Sequence, residues 1–230
     1  MTDSLLFTLW QPLWLTLQLA LLSVVILLLI ALPLCYWLSQ YHGRAKPIIE
    51  ATIALPLVLP PTVMGFYLLI AFAPDTLLGQ SWIAISGQPL AFSFAGIVLG
   101  SVIYSFPFVV QPILLSFQQH IRPINQTAAT LGITWWRRIV FILLPAVKPA
   151  LISAITLGFA HTLGEFGLIL MIGGNIPGHT QVLSIALYQS VETMQYTQAH
   201  WLAAILLGFS FIILVIMYTY NRAFYRMQQC

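Results

Sequence analysis

Five apolar stretches, at about 13–39, 51–73, 90–116, 149–172 and 199–220, each reach the roughly 20 residues that a helix needs to cross a bilayer. No other feature limits the fold as tightly, because in lipid the backbone polar groups must be satisfied within the segment itself. Composition agrees: 60% of the 230 residues are hydrophobic and 6% are charged, whereas soluble domains are about a quarter charged. The predicted class is all-α, a polytopic transmembrane helical bundle of about five spans, with residues 1–230 forming one domain. Pro56, Pro60 and Pro61 in the second stretch, and Pro107 and Pro112 in the third, predict bends of the kind membrane helices tolerate when neighbours satisfy the freed backbone groups.

Loop charge orients the bundle. Arg44 and Lys46 follow the first span, Arg122, Arg137, Arg138 and Lys148 separate the third from the fourth, and Arg222 and Arg226 follow the fifth, so all 8 basic residues fall on one side. Asp3, Asp75 and Glu192 fall on the other. Basic loops stay cytoplasmic, which predicts an N-terminus outside and a C-terminus inside. Scattered bases do not make a nucleic-acid surface. Cys35 and Cys230 have neither metal-ligand spacing nor a disulfide framework, and His179 and His200 are too far apart to suggest a metal site. No cofactor is expected. The N-terminus lacks the charge, short apolar core and cleavage pattern of a removed signal, so the first span is expected to direct insertion.

One stretch interrupts the apolar pattern: "NQTAATLGITWWRRIVFILLP", residues 125–145. It belongs to the cytoplasmic loop at about 117–148. Pro123 suits a helix start and Gly132 a break, predicting a short helix near 123–131, a turn, and a second helical piece entering the membrane. Trp135 and Trp136 beside Arg137 and Arg138 suit headgroup depth. On the outer side, Gly173, Gly174, Pro177 and Gly178 mark turns, and residues 180–191 predict a short helix that does not span.

The fourth span carries an ionisable pair, His161 and Glu165, four apart and therefore predicted on one helical face. An ionisable residue within a span is a functional-site hypothesis by default; satisfaction by neighbouring helices is the alternative. Ala150, Ala154, Gly158 and Thr162 form a small-residue stripe that predicts close packing on another helix or a second copy. Thr62, Ser101, Ser105 and Thr162 are hydroxyls that could line a path or bond between helices.

The insert resembles the cytoplasmic loop of ABC importer permeases, of the form E-A-A, three residues, G, nine residues, I-x-L-P. Gln126, Thr127, Ala128, Gly132, Ile142, Leu144 and Pro145 fall in that register, with Gln126 in place of the acid and Thr127 in place of the first alanine. Together with "LPLVLPPTVMGFYLL" at 55–69, "LGEFG" at 163–167 and "GNIPGHTQ" at 174–181, nearly the whole chain is similar to the molybdate permeases of that class. The resemblance implies a type I ABC importer permease fold in the inner membrane, working as a homodimer with two copies of an ATP-binding subunit and an extracytoplasmic molybdate-binding protein. It also implies that the insert docks on the ATP-binding subunit, and that His161, Gly164, Glu165, Phe166 and Gly167 are pathway or gate residues. The family commonly has arginine where this chain has His161, and imidazole lacks the permanent charge of guanidinium.

Molybdate is a dianion, and an ionised Glu165 at 4 Å would oppose each unit charge by about 4 kcal/mol at an effective dielectric of 20. Glu165 is therefore expected to organise a gate or helix packing, not to bind the anion. The chain contains no GxxxxGK(S/T) phosphate loop, so ATP hydrolysis is expected in a partner. Tungstate and sulfate are alternative cargoes, and a secondary transporter relaying protons through His161 and Glu165 is an alternative machine. A membrane enzyme has little support because no nucleophile, base and electrophile converge.

Overall fold

The computed structural model describes residues 2–228, without the side chains at 2–9, 122, 129, 130 and 220–228. The charge assignments at Asp3, Arg122, Arg222 and Arg226, and the terminal Cys230, lie outside the described residues. The first helix, α1 (Thr2–Gln40), is followed by α2 (Lys46–Val58) and α3 (Pro61–Ala71). Leu59 and Pro60 are extended, with ψ of 133° and 139°, because each precedes a proline whose ring disfavours helical backbone before it. Pro61 then starts α3, and the two helices meet at 110°, a sharper change than a bent span. The short helix α4 (Leu77–Ser86), which the sequence reading did not separate, begins where Thr76 Oγ1 accepts from the Gly79 N–H at 3.1 Å. It closes on Gly87.

Helix α5 (Phe94–Thr130) runs through Pro107, Pro112 and Pro123. The predicted separate helix at 123–131 is thus corrected: Pro123 lies inside α5 and does not begin a helix. Ile121 and Ala128, each 2% exposed, keep the same face buried on both sides of Pro123, and this burial outweighs the backbone hydrogen bond a proline removes. After the turn come α6 (Trp135–Arg138), a π-helical turn at Ile139–Leu143, and α7 (Leu144–Ala146). The bundle continues with α8 (Lys148–Gly164), α9 (Gly167–Gly173), α10 (Leu183–Glu192) and α11 (Tyr196–Gln228). The predicted outer helix at 180–191 is α10.

Among the described residues, three helices are long and apolar enough to cross a membrane by themselves, and there are up to five crossings if each bent pair counts once. Helices α1, α5 and α8 form the centre, where Leu27, Ile113 and Ala154 are fully buried. The small-residue stripe serves this packing: a Cβ at Gly158 would lie 2.6 Å from Val109 Cγ2, with Val24 and Leu27 just beyond. It therefore faces α5 and α1 of the same chain. On one flank α3 packs on α9, and on the other α10 packs on α11. Only 11% of the most apolar window of α11 is buried, leaving a broad surface for lipid or a second copy.

Candidate functional site

The polar insert is a helix end, a turn and short helical pieces at the basic end of the bundle. Helix α5 ends in a Schellman turn: Gly132 has φ +63°, and the Ile133 N–H donates to the Ala128 carbonyl at 3.0 Å, satisfying an end carbonyl of the helix. Gln126 and Thr127 are exposed on the last turns and Ala128 is buried. Trp135 Nε1 donates to the Tyr36 hydroxyl at 2.9 Å, fixing the far side of the turn to the end of α1. Ile142 lies in the π-helical turn and Leu144 and Pro145 in α7; single π turns inside helices are frequent at functional sites. Trp136 and Phe141 remain 66% and 73% exposed, so this end offers an apolar surface beside Arg137 and Arg138.

The second group lies well away, roughly 20 Å along α8 at 1.5 Å per residue. Here the expectation of an unbroken fourth span, with His161 and Glu165 on one helical face, is corrected. Helix α8 stops at Gly164, Glu165 is extended with ψ 130°, and α9 starts at Gly167. Glycines on both sides of Glu165 lower the tendency to continue the helix, and the break is satisfied from α10, whose Ser184 Oγ donates to the Glu165 carbonyl at 2.7 Å.

Both ionisable side chains nevertheless meet α5. Ser101 Oγ donates to Glu165 Oε2 at 3.2 Å, and one helical turn on, Ser105 Oγ pairs with His161 Nδ1 at 2.9 Å and Thr162 Oγ1 at 3.2 Å. The His161 ring stacks on Phe108 at 4.0 Å between centroids. Glu165 is 5% exposed, and its Oε1 has no hydrogen-bond partner among the described residues. Ser101, Ser105 and Thr162 thus act between helices, as one of the two readings of those hydroxyls anticipated.

Phe166 packs against Tyr188 of α10, with ring centroids at 4.8 Å. A Cβ at Gly167 would lie 3.3 Å from Pro61 and 3.5 Å from the Thr62 side chain. The break between α8 and α9 therefore sits directly against the break between α2 and α3. Gly164 is exposed. Sequence reasoning missed Tyr36, Ser184 and Tyr188, which carry no local signal. It also missed a polar cluster in which Gln189 Oε1 accepts from Asn175 Nδ2 at 3.0 Å and Gln181 Nε2 at 2.6 Å. His179 and His200 are exposed, and no grouping of metal-ligating side chains occurs among the described residues.

Long apolar helices beside two apolar helix pairs that break where they meet fit a multi-pass membrane protein, and discontinuous helices of this kind recur in transporters. The chain belongs to the family of binding-protein-dependent transport system inner membrane components, which matches residues 31–227. It is 46% identical to the molybdenum transport system permease protein of Azotobacter vinelandii over 208 residues, covering 90% of this chain and 92% of that one. The molybdenum permease of Escherichia coli K12 is 34% identical, with 80% of each chain covered. The sulfate transport system permease of the same bacterium is 29% identical, covering 82% of this chain and 68% of its own length. Among solved structures, the inward-facing methionine ABC transporter MetNI superposes with a TM-score of 0.75 at 16% identity, covering 97% of this chain and 99% of that chain. A bacterial importer of the acidic polysaccharide alginate gives 0.73 at 17% identity, covering 93% and 78%. The fold is that of a type I ABC importer permease.

Proposed function

We propose that this chain is the membrane permease subunit of an ATP-driven importer carrying molybdate into the cytoplasm. The observation that carries the proposal is the 46% identity over 90% of the chain to a molybdenum permease, against 29% to the Escherichia coli sulfate permease. Two copies form the path, each with an ATP-binding subunit on its basic end, and a molybdate-binding protein docks on the opposite end. The N-terminus is extracytoplasmic and the C-terminus cytoplasmic, as the loop charges favour.

The mechanism follows from the two linked regions. Nucleotide binding closes the ATP-binding subunits, and they move the element containing Gln126, Thr127, Ala128 and Gly132. Because Trp135 is bonded to Tyr36 and Ile142, Leu144 and Pro145 lead into α8, the displacement reaches the α1, α5 and α8 centre as a packed unit. At the far end of α8, Gly164, Glu165, Phe166 and Gly167 form the joint that opens against α3.

Glu165 and His161 act by positioning, holding α8 to α5 through Ser101 and Ser105. The anion passes backbone N–H groups and hydroxyls such as Thr62, which supply partial positive charge without trapping it. No cofactor is required. Uptake of labelled molybdate by cells with and without the chain tests the proposal. Chain-dependent uptake that resists excess sulfate is the expected result, and uptake abolished by sulfate would reassign the cargo.

A further inference from the structure

Helix α1 fixes the depth of the basic end of the bundle in the membrane. Its apolar span ends at Gln40, so Tyr36 and the 48% exposed Trp37 lie in its last turns, where the aromatic belt of a membrane surface falls. Trp135 Nε1 donates to the Tyr36 hydroxyl at 2.9 Å, which holds α6 at the same depth. The stretch after the Gly132 turn therefore sits among the headgroups, neither in bulk solvent nor in hydrocarbon.

At that depth α6 and the π-helical turn expose a mixed surface. Residues four apart are neighbours along a helix, so Val140 lies beside Trp136 and Phe141 beside Arg137. Trp136, Val140 and Phe141 are 66%, 41% and 73% exposed; Arg137 is exposed among them and Arg138 is half-buried. No Asp or Glu occurs between Asp75 and Glu165, and Glu50 of α2 is engaged by Gln118 Nε2 at 3.4 Å. Water does not suit three large apolar side chains, and hydrocarbon does not suit guanidinium. The boundary between headgroup and acyl chain suits both.

We propose that α6 and the turn after it form a binding site for an anionic phospholipid of the cytoplasmic leaflet, its phosphate against Arg137 and Arg138 and an acyl chain along Trp136, Val140 and Phe141. Guanidinium takes two phosphate oxygens at once, and each basic residue near an anionic membrane surface adds to the attraction. A bound lipid ties α6 to the bilayer on its outward side, as Tyr36 ties it to α1 on the other. The choice of leaflet rests on the loop-charge orientation proposed above; the cargo and the ATP-driven mechanism do not enter.

The test uses the permease with its ATP-binding subunit in phosphatidylcholine nanodiscs that carry a small share of photoactivatable phosphatidylglycerol or, in parallel, of photoactivatable phosphatidylcholine. The phosphatidylglycerol probe should cross-link to residues 133–148 in excess over the phosphatidylcholine probe, by about 5-fold or more. Arg137→Gln should lower that labelling by about 5-fold, as the attraction per basic residue near an anionic surface implies, and Arg137→Lys should restore most of it. Phe141→Ser should lower labelling by both probes. Equal labelling by the two probes, or full labelling in Arg137→Gln, overturns the proposal. Labelling of this segment that appears only after the ATP-binding subunit is removed would assign the surface to that protein and also overturn it. Both leaflets of a nanodisc carry the same lipids, so labelling tests the site whichever way the chain faces. Molybdate uptake abolished by sulfate would strike the cargo reading and leave this site standing.

Discussion

Trp135 donates its indole N–H to the hydroxyl of Tyr36 at 2.9 Å while the rings meet edge-on with centroids 6.4 Å apart. The two residues are 99 positions apart, and their contact ties the interfacial loop to the end of α1. Tyr36→Phe keeps the ring contact and removes the hydrogen bond, worth about 0.5–1.5 kcal/mol. Stability should fall by no more than that, while ATP hydrolysed per molybdate imported rises. A ratio equal to that of the unsubstituted complex would mean that the brace plays no part in transmission.

The turn itself is open to a second substitution pair. No atom lies within 4 Å of a Cβ built on Gly132, whose φ is +63°. Alanine there meets no clash, so its cost is the left-handed backbone alone, about 1–2 kcal/mol. Gly132→Pro cannot adopt that φ and should insert in the membrane but hydrolyse ATP without transport. Membrane fractionation combined with uptake separates this outcome from simple misfolding.

At the joint, Ser101→Ala removes the hydroxyl donor to Glu165, whose other oxygen already has no partner among the described residues. Leaving a buried polar group unsatisfied costs about 1–3 kcal/mol, so thermal stability of the assembled complex should drop. Glu165→Gln retains an oxygen that can accept from Ser101 and should preserve assembly and most transport. Loss of transport with normal assembly would show that the carboxyl group itself is required.

Packing gives a further prediction. Because a Cβ at Gly158 would lie 2.6 Å from Val109 Cγ2, and valine in a helix has one strongly preferred rotamer, Gly158→Ala should destabilise the bundle by about 1–3 kcal/mol. A thermal-unfolding series in detergent with Val109→Ala as the second mutation should show partial rescue. Additive losses would argue against this contact.

These residues also show how far the sequence could be read. Long apolar stretches and one-sided basic loops required a helical membrane bundle, since lipid leaves the backbone few other solutions. The Gly132 turn was visible because glycine favours a left-handed cap. Two readings failed where tertiary packing outweighed local preference: Pro123 was carried inside α5 by the buried face around Ile121, and the fourth span broke at Glu165 because Ser184, distant in sequence, caps the freed carbonyl. The helix spacing of His161 and Glu165 was wrong as geometry, yet both side chains reach α5, whose Ser101 and Ser105 are also four apart. Tyr36 and Tyr188 have significance only through folding, and no local pattern marks either residue.

The most direct test of the central claim is labelled anion import into proteoliposomes containing this permease and its ATP-binding subunit, with the binding protein and molybdate outside and ATP trapped inside. Import that requires all three proteins and ATP, and that survives a large excess of sulfate, is the result predicted. Import that continues without ATP under a proton gradient, or that sulfate abolishes, would contradict it.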